Sequence, residues 1–315
     1  MVFPEGSRSA DGKLQRFHKG AFNLAEELNA EIQPIIFYGL SKALTRRQSF
    51  HLNSSTVVVK ALQRIMPDDT SYGVGYSERT KKISQYFKRE YAALCARYDG
   101  PDNPYFYERL VRNFTYKGPV VEWYTRIKVK MEDNYRIFHQ LIPRTACITD
   151  IGCGYGYLGY MLSMYCPERQ VLGIDYDEDK ITVAQNGFAR GENLHFVCAD
   201  SLQYDMPMSD VFVLNDMLHY MSYEQQSMLL TRCAEHLNEG GMIIVSDCNV
   251  SHKKLGVTQL TEVFSTKILR FNKTVEELCF ITESQMRDIA RQNNLNIETL
   301  QNDQYTSNTK YILRR

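Results

Sequence analysis

The sequence predicts an α/β fold: a mostly parallel sheet with helices on both faces and a closing antiparallel hairpin, preceded by a small α/β segment. From about residue 146 onward, strand-like and helical patterns alternate, which is typical of parallel strands joined by crossover helices. A glycine-rich turn, Gly152-Cys-Gly-Tyr-Gly156, follows the first of these strands. The turn-rich stretch Asp99-Gly-Pro-Asp-Asn-Pro104 interrupts the chain before them. We therefore predict two domains, 1–98 and 99–315.

Composition limits the partners of the chain. Its 315 residues are enough for two domains, and 37 basic residues balance 37 acidic ones, so no global field attracts nucleic acid. The eight cysteines are scattered singly, without the paired spacing of a zinc site or a disulfide framework. We expect no metal, no nucleic acid partner and a cytoplasmic location. Any membrane contact, peripheral to the inner face, would come through the amino-terminal segment. The sequence does not indicate the oligomeric state.

The amino-terminal part has weaker patterns. A short helix is predicted over 20–28 and a strand over 32–38. From Ser77 to Tyr98, apolar residues recur at the spacing of one helix face, which predicts a long amphipathic helix.

A second amphipathic helix is predicted over 123–142, ending before Pro143. The alternating elements follow it: strands at 146–150, 170–174, 195–198, 210–214 and 242–246, and helices at 157–166 and 178–189. Ser222 with Gln225, and Thr282 with Gln285, have the pattern of helix capping boxes. The first of these helices is expected to close at 238–241. Residues 248–281 are predicted to form an irregular or helical insertion, and strands at 297–300 and 311–313 the closing hairpin.

The glycine turn suits a nucleotide cofactor. Glycines permit a tight turn whose backbone amides face a ligand, and the following helix presents its positive end. The glycines alone leave two cofactors open, because Gly154-Tyr-Gly156-Tyr-Leu-Gly159 also fits the G-x-G-x-x-G spacing of dinucleotide sites.

Three carboxylates favour a cofactor with a cationic end. Asp150 stands directly before the turn, where it would attract an ammonium group but repel a pyrophosphate. Asp175 ends the second strand and suits two ribose hydroxyls, although it fits either cofactor. Asp200 follows the third strand, where it can accept a hydrogen bond from an adenine amino group. The alternative for Asp150 alone is a cap of the following turn, and for Asp200 alone a helix cap; the ordered set of three indicates an adenosine-reading pocket that tolerates a cation.

The motifs in order resemble the class I S-adenosylmethionine-dependent methyltransferases. They are Thr149-Asp-Ile-Gly-Cys-Gly-Tyr-Gly156, Gly173-Ile-Asp-Tyr176, Cys198-Ala-Asp-Ser201, Asn215-Asp-Met-Leu-His-Tyr220 and Leu237-Asn-Glu-Gly-Gly241. The resemblance covers about residues 100–315 and implies a Rossmann-like sheet with S-adenosylmethionine as cofactor.

The resemblance also implies roles for individual residues of this chain. The methionine end of the cofactor would lie on Asp150, Gly152, Gly154 and Gly156, the ribose on Asp175 and the adenine on Tyr176, Asp200 and Ser201. Asn215 would flank the sulfonium.

His219 is the candidate catalytic base. It lies just past the fourth strand of the alternating series, at the rim where ligands bind in this architecture, and imidazole titrates near neutral pH. A packing role is the alternative. No motif identifies the acceptor of the methyl group. We expect a small molecule, lipid-like or polyketide-like.

The first residues resemble a second family. Phe3-Pro-Glu-Gly-Ser-Arg-Ser9 and the later strand with Pro34 resemble the glycerophospholipid (lysophosphatidic acid) acyltransferases over about residues 2–95. The resemblance implies that Glu5, Gly6 and Arg8 bind the phosphate of an acyl acceptor. The catalytic H-x-x-x-x-D of that family stands upstream of this block, and the one such spacing here, His195 to Asp200, lies in the other domain. We therefore expect a truncated acyltransferase remnant without acyltransferase activity.

Three functions remain open on the sequence. The first is a methyltransferase acting on a small molecule, alone or as part of a longer bifunctional acyltransferase and methyltransferase. The second is a nicotinamide-dependent oxidoreductase, which Asp150 and Asp200 disfavour. The third is a non-catalytic docking protein.

Overall fold

The protein is described from a computed structural model, which covers residues 1–9, 12–44, 52–131, 134–248, 278–300 and 308–315. The chain divides into two compact units, Met1–Arg109 and Leu110–Arg315. The predicted seam at 98/99 precedes helix α4 (Pro104–Asn113), whereas the units divide within that helix. Among the described residues, no helix is both long enough and apolar enough to cross a membrane.

The first unit combines a small antiparallel sheet with helices. Its strands are β1 (Ile35–Tyr38) and β2 (Val58–Ala61), and its helices before α4 are α1 (Gly20–Glu27), α2 (Leu40–Ala43) and α3 (Tyr76–Tyr98). The predicted strand over 32–38 is too long, because Ile32 forms only an isolated bridge with Ile65. Pro34 lies between Ile32 and the start of β1, and it has no backbone N–H to donate to a strand ladder.

A buried polar cluster fixes the end of α3 in this unit. The hydroxyl of Tyr38 donates to the carboxylate of Asp99, and the ammonium of Lys42 lies 2.9 Å from the same oxygen. Asn103 donates to the Tyr38 hydroxyl over 3.1 Å. The buried carboxylate therefore has both charge and hydrogen-bond partners, as burial requires.

The second unit holds a sheet to which the described residues contribute seven strands, in the order β5-β4-β3-β6-β7-β9-β8. Its strands are β3 (Cys147–Ile151), β4 (Gln170–Asp175), β5 (Leu194–Cys198), β6 (Ser209–Asn215), β7 (Leu237–Cys248), β8 (Asn296–Leu300) and β9 (Asn308–Arg314). Its helices after α4 are α5 (Pro119–Met131), α6 (Asn134–Leu141), α7 (Tyr157–Tyr165), α8 (Glu178–Gln185), α9 (Tyr223–Glu235) and α10 (Glu283–Gln292).

The strand order places a crevice beside β3. Strands β3 to β7 pair in parallel, and β9 pairs antiparallel with both β7 and β8, so the predicted parallel sheet and closing hairpin are confirmed. The order runs from β3 through β4 to β5 on one side and from β6 outward on the other. Ligands bind at the carboxyl ends of strands where the order reverses in this way.

One face of the sheet packs on α9 and α10 through a continuous apolar core. Leu214 of β6, Val245 of β7 and Leu313 of β9 are fully buried there, against Leu229 of α9 and Ile289 of α10. Both helices begin at the predicted capping boxes of Ser222 and Thr282. The core therefore fixes the carboxyl ends of β6 and β7, where Asn215, His219 and Asp247 lie.

Several predicted boundaries need correction. Helix α8 ends at Gln185 rather than at 189, because the backbone amides of Phe188 and Ala189 donate to the carbonyl and side-chain oxygens of Asn113 over 3.3 Å and 2.6 Å instead of to the preceding helical turn. Helix α9 ends at Glu235, and the predicted helix end at 238–241 lies in an irregular part of β7, where Gly240 has φ +72°.

Two other predictions fall partly outside the described residues. In place of the single helix over 123–142, the structure has α5 and α6 on either side of residues 132–133, which lie outside them. The insertion predicted over 248–281 also lies outside them, apart from residues 248 and 278–281.

Candidate functional site

The glycine turn connects β3 to α7 in a backbone form that other residues adopt only with strain. Gly152, Gly154 and Gly156 have φ values of +71°, +55° and +75°. A Cβ on Gly152 would lie 2.8 Å from Cβ of Met217, and one on Gly156 would lie 2.4 Å from the ring of Phe196. A Cβ on Gly154 would meet no described atom within 4 Å. Two of the glycines are thus needed for packing, and the third faces open space.

Asp175 fixes this turn from the neighbouring strand. One oxygen of its carboxylate accepts a hydrogen bond from the Gly154 amide over 2.8 Å, and the other accepts from the Asp177 amide over 2.9 Å. The side chain is buried at the end of β4. Each carboxylate oxygen has more than one lone pair, so these two bonds leave acceptor capacity for ribose hydroxyls.

Asp150 is buried beside Asp175 and only partly compensated. Its side chain is 2% exposed, and among the described residues its Oδ2 has no hydrogen-bond partner. Burial, together with the nearby charge of Asp175, raises the pKa of Asp150 to about 8. An unpartnered buried carboxylate beside a glycine turn is a ready acceptor for an ammonium group, which would also lower that pKa.

The residues predicted to read adenine lie at the ends of β4 and β5. Tyr176 is 60% exposed and Ser201 is buried. Asp200 is exposed, and its carboxylate accepts hydrogen bonds from the Leu202 amide over 2.9 Å and from the Gln203 side chain over 3.1 Å. Without ligand, the carboxylate of Asp200 therefore caps a turn.

Asn215 ends β6 and borders an unusual backbone conformation. The side-chain amide of Asn215 donates to the carboxylate of Asp216 over 3.2 Å. Asp216 has φ +54°, which is uncommon for a residue other than glycine, and its backbone amide donates to the carbonyl of Ser246 over 2.8 Å. This conformation turns the chain sharply from β6 into the short 3₁₀ turn Leu218–Tyr220 that carries His219.

His219 is paired with a carboxylate that sequence reasoning missed. Its Nδ1 lies 2.6 Å from Oδ1 of Asp247, and its backbone amide donates to the other oxygen of Asp247 over 3.1 Å. The imidazole is 13% exposed and the carboxylate 3%. With Nδ1–H donating to Asp247, the neutral ring carries its lone pair on Nε2, the nitrogen a general base would use.

Opposing influences set the pKa of His219. Burial lowers it, but the hydrogen bond and the charge of Asp247, with a further contribution from Asp216, raise it above its ordinary value. The paired carboxylates therefore outweigh the desolvation and stabilise the imidazolium.

Cys153, inside the glycine turn, does not have the properties of a nucleophile. Burial and the charges of Asp150 and Asp175 raise the pKa of its thiol well above the ordinary range. A thiol that stays protonated at neutral pH reacts slowly, because the thiolate is the reactive form.

The sheet brings the predicted residues to one edge. Asp150 pairs in register with Gly173 of β4 and Val213 of β6, and Asp175 pairs with Cys198 of β5. The predicted residues therefore follow four adjacent strands at their carboxyl ends. Asp247 lies near the end of the fifth, β7, and a carboxylate after a buried Ile-Ile-Val run was the signal that marked it.

S-adenosylmethionine fits these residues on two observations. The unpartnered Oδ2 of Asp150 matches an ammonium group, and the open space at Gly154 leaves room for a ligand against the turn.

Comparisons with known proteins agree with this fold. Residues 148–241 match the model of a family described as a methyltransferase domain, and residues 1–38 match an acyltransferase model. The pyocyanin biosynthetic protein PhzM is similar in structure, with a TM-score of 0.50 and 18% identity, over 67% of this chain and 61% of that one. This likeness supports the fold.

The curated relatives are similar over the methyltransferase region. A carboxy-S-adenosyl-L-methionine synthase of Helicobacter hepaticus is 31% identical over 117 residues, which are 36% of this chain and 49% of the relative. The corresponding protein of Trichodesmium erythraeum is 29% identical over 36% of this chain and 45% of its own length. The chain thus spans about half the length of the curated relatives it matches.

The match to a methyltransferase domain and the similarity to carboxy-S-adenosyl-L-methionine synthases agree with the predicted cofactor, S-adenosylmethionine. Together with the order of the motifs and the strand order, the family match shows that residues 148–241 resemble a methyltransferase domain with the class I fold, in a chain whose first residues resemble the acyltransferases.

Proposed function

We propose that this protein transfers the methyl group of S-adenosylmethionine to a hydroxyl of a small lipid-like or polyketide-like acceptor, with His219 as general base. The observation that carries the proposal is the hydrogen bond between His219 Nδ1 and the buried carboxylate of Asp247, at the carboxyl edge of the sheet. A base held in one tautomer suits an acceptor that must lose a proton as it reacts.

The predicted residues divide the binding of the cofactor among them. Asp150 would hold the ammonium group and Asp175 the ribose hydroxyls, while Tyr176, Asp200 and Ser201 would contact adenine. Gly152, Gly154 and Gly156 would line the methionine end, and Asn215 would lie beside the sulfonium. S-adenosylmethionine, when bound, supplies an electrophilic methyl group and needs no further activation.

His219 and Asp247 would manage the proton. Nε2 of His219 would take the proton of the acceptor hydroxyl as the oxygen accepts the methyl group, with the demethylated cofactor as leaving group. Asp247 keeps Nδ1–H in place and stabilises the imidazolium that results, since its carboxylate lies 2.6 Å away. The proton leaves to solvent when the products dissociate.

The test is transfer of label from the methyl group of S-adenosylmethionine to a lipid extract. We expect a labelled product with the intact chain and a rate about 10²-fold to 10⁴-fold lower in His219→Gln. Met228→Ala, at a 54% exposed position of α9, is the control and should keep the rate. An undiminished rate in His219→Gln would show that this residue is not the base.

The curated relatives suggest a second candidate function, formation of carboxy-S-adenosylmethionine from S-adenosylmethionine and a second substrate that supplies the carboxyl group. Their similarity is confined to about a third of this chain, so the activity is a proposal here. Mass spectrometry of the nucleosides separates the two candidates. A nucleoside heavier by a carboxyl group favours this function, whereas demethylated S-adenosylmethionine favours methyl transfer.

The acyltransferase-like segment supports a wider proposal, in which methylation and acylation act on related lipid substrates. Here Glu5 accepts a hydrogen bond from the Gln15 amide over 2.7 Å, and Gly6 has φ +69°. Glu5, Gly6 and Arg8 would bind the phosphate of an acyl acceptor. We expect no acyl transfer by this chain, which an assay with labelled acyl-coenzyme A and lysophosphatidic acid checks.

A further inference from the structure

Residues 278–281, which we call the anchor segment, contact the turn that carries His219. The amide of Cys279 donates to the carbonyl of His219 over 2.9 Å. The ring of Phe280 lies nearly parallel to the imidazole, at 25° and 5.6 Å between centroids. Tyr220 also contacts the imidazole, at 4.2 Å between centroids and 48°. Besides Asp247, the environment of His219 therefore includes a segment about 60 residues further along the chain.

Gln226 of α9 joins these two parts. It is fully buried, and its side-chain nitrogen lies 3.0 Å from the carbonyl oxygens of Leu218 and Met221 and 2.7 Å from that of Cys279, so that its two hydrogens are shared among the three acceptors. The first two carbonyls lie on either side of His219 in the turn, and the third belongs to the anchor segment. One side chain thus sets the distance between the turn and the segment.

These bonds do more than satisfy buried carbonyl groups. Asp247 binds the Nδ1 edge of the imidazole and the backbone amide of His219, while Cys279 binds its carbonyl. Phe280 covers apolar ring surface that water would otherwise reach. The position of Nε2 then depends on how firmly the anchor segment is held against the turn, and Gln226 contacts both.

We propose that Gln226 and Phe280 are positioning residues for His219. Gln226 docks the anchor segment on the turn, and Phe280 holds the imidazole and limits the access of water to its hydrogen bond with Asp247. The proposal deepens the proposed function and rests on His219 acting as the base there. It assigns to neither residue any contact with the acceptor or the cofactor.

Exchange of the His219 Nδ1 proton tests the proposal directly. It is followed by NMR in the full chain, in wild type, Gln226→Met and Phe280→Leu. Gln226→Met keeps the side-chain volume but removes the donors, and Phe280→Leu removes the ring. We expect exchange roughly tenfold or more faster in both variants, and exchange at the wild-type rate in Phe280→Tyr, which keeps the ring, and in Met228→Ala.

The outcomes separate positioning from loss of folding. Unchanged exchange in both variants overturns the proposal. If Gln226→Met fails to fold, which its thermal unfolding and S-adenosylmethionine binding reveal, Phe280→Leu decides. Faster exchange in Phe280→Tyr or in Met228→Ala, equal to that of Phe280→Leu, also overturns it, because the effect is then not specific to the ring.

Turnover gives the second readout. With an accepted substrate, Phe280→Leu should lower kcat roughly tenfold or more and leave KM for S-adenosylmethionine unchanged, because misplacement of a base impairs the reaction rather than cofactor binding. Phe280→Tyr should restore kcat. Proton exchange needs no acceptor, so a chain with the expected exchange and no methyl transfer contradicts the proposed function and leaves the positioning role standing.

Discussion

Two buried aspartates of the site have opposite surroundings. Asp247 binds His219 through both of its oxygens, whereas Oδ2 of Asp150 has no hydrogen-bond partner among the described residues. Burial with the charge of Asp175 raises the pKa of Asp150 to about 8, while the carboxylate of Asp247 raises the pKa of His219. One aspartate is thus suited to receive a cation, and the other already holds a base in place.

Asp150→Asn should make the unliganded protein more stable at pH 8 and bind S-adenosylmethionine more weakly. The folded-state pKa of Asp150, about 8, exceeds its unfolded value of about 4, so between these values only the folded chain holds the proton. The free energy of unfolding therefore falls with rising pH in that window, by up to about 1.4 kcal/mol per unit. Asn removes this dependence and the charge that attracts ammonium.

Thermal unfolding between pH 5 and pH 8 measures the first effect and calorimetry the second. At pH 6.5, wild type should also release a proton on binding the cofactor, and Asp150→Asn should not. Asp288→Asn, on the surface of α10, is the control. Equal pH dependence in wild type and Asp150→Asn would contradict the assignment.

Asp247→Asn should lower the pKa of His219 below its ordinary value of about 6.5, because burial still disfavours the imidazolium and the compensating charge is gone. In wild type the raised pKa stabilises the fold below pH 6.5, and this contribution disappears as pH rises through the folded-state value. An NMR titration of His219 gives both midpoints. A midpoint unchanged by the substitution would mean that Asp247 does not control this histidine.

At the scale of elements, the glycine turn needs residues that adopt positive φ and, at some positions, residues without a side chain. Substitutions at Gly156 and Gly154 separate these two requirements. Gly156→Ala adds a strained backbone conformation and a methyl group 2.4 Å from the Phe196 ring, so we expect a loss of about 2–4 kcal/mol in the free energy of unfolding. Gly154→Ala has the strain but no described neighbour within 4 Å, so it should cost only about 1 kcal/mol.

Cofactor binding should respond differently from stability. Gly154→Ala places its methyl group in the open space where the cofactor would lie, so it should weaken S-adenosylmethionine binding although it is the milder variant for folding. Chemical denaturation and calorimetry on both variants check the pair. Normal cofactor affinity in Gly154→Ala would mean that the ligand does not contact this part of the turn.

The sequence predicts the strands of the second unit well, because buried parallel strands appear as short runs of Ile, Val and Leu. It fails where a distant side chain ends an element. Helix α8 stops early because the amides of Phe188 and Ala189 bond to Asn113 of α4, and Asn238-Glu-Gly-Gly241 joins β7 as an irregular stretch rather than closing α9. Neither contact leaves a periodic signal in the sequence.

The sequence likewise predicts those site residues that lie at strand ends, but not those that act through distant contacts. Asp150, Asp175 and Asp200 lie at or just beyond the carboxyl ends of strands and are recognisable by that position. Asp247 has the same kind of position, but the predicted strand stopped one residue before it. Gln226 acts through Cys279, 53 residues away, and no local pattern encodes such a bond. The binding roles of the predicted residues stay predictions until ligand binding is measured.

At the scale of the whole molecule, the second unit contains every residue predicted to bind the cofactor. The two units, Met1–Arg109 and Leu110–Arg315, are each internally compact. A chain of residues 99–315, which keeps α4 whole, should therefore fold and bind S-adenosylmethionine with the affinity of the full protein. Calorimetry on both proteins tests this. Loss of binding in a folded 99–315 chain would show that the acyltransferase-like segment contributes to the site.

The most direct test of the account is calorimetric titration of S-adenosylmethionine into the intact chain and into Asp175→Ala. Asp175 both anchors the Gly154 amide and is predicted to hold the ribose, so its loss should weaken binding about 100-fold, equivalent to roughly 2.7 kcal/mol. Asp288→Ala, a substitution on the surface of α10, should bind as wild type does. Absence of binding by the intact chain, or equal affinity in Asp175→Ala, would contradict the account.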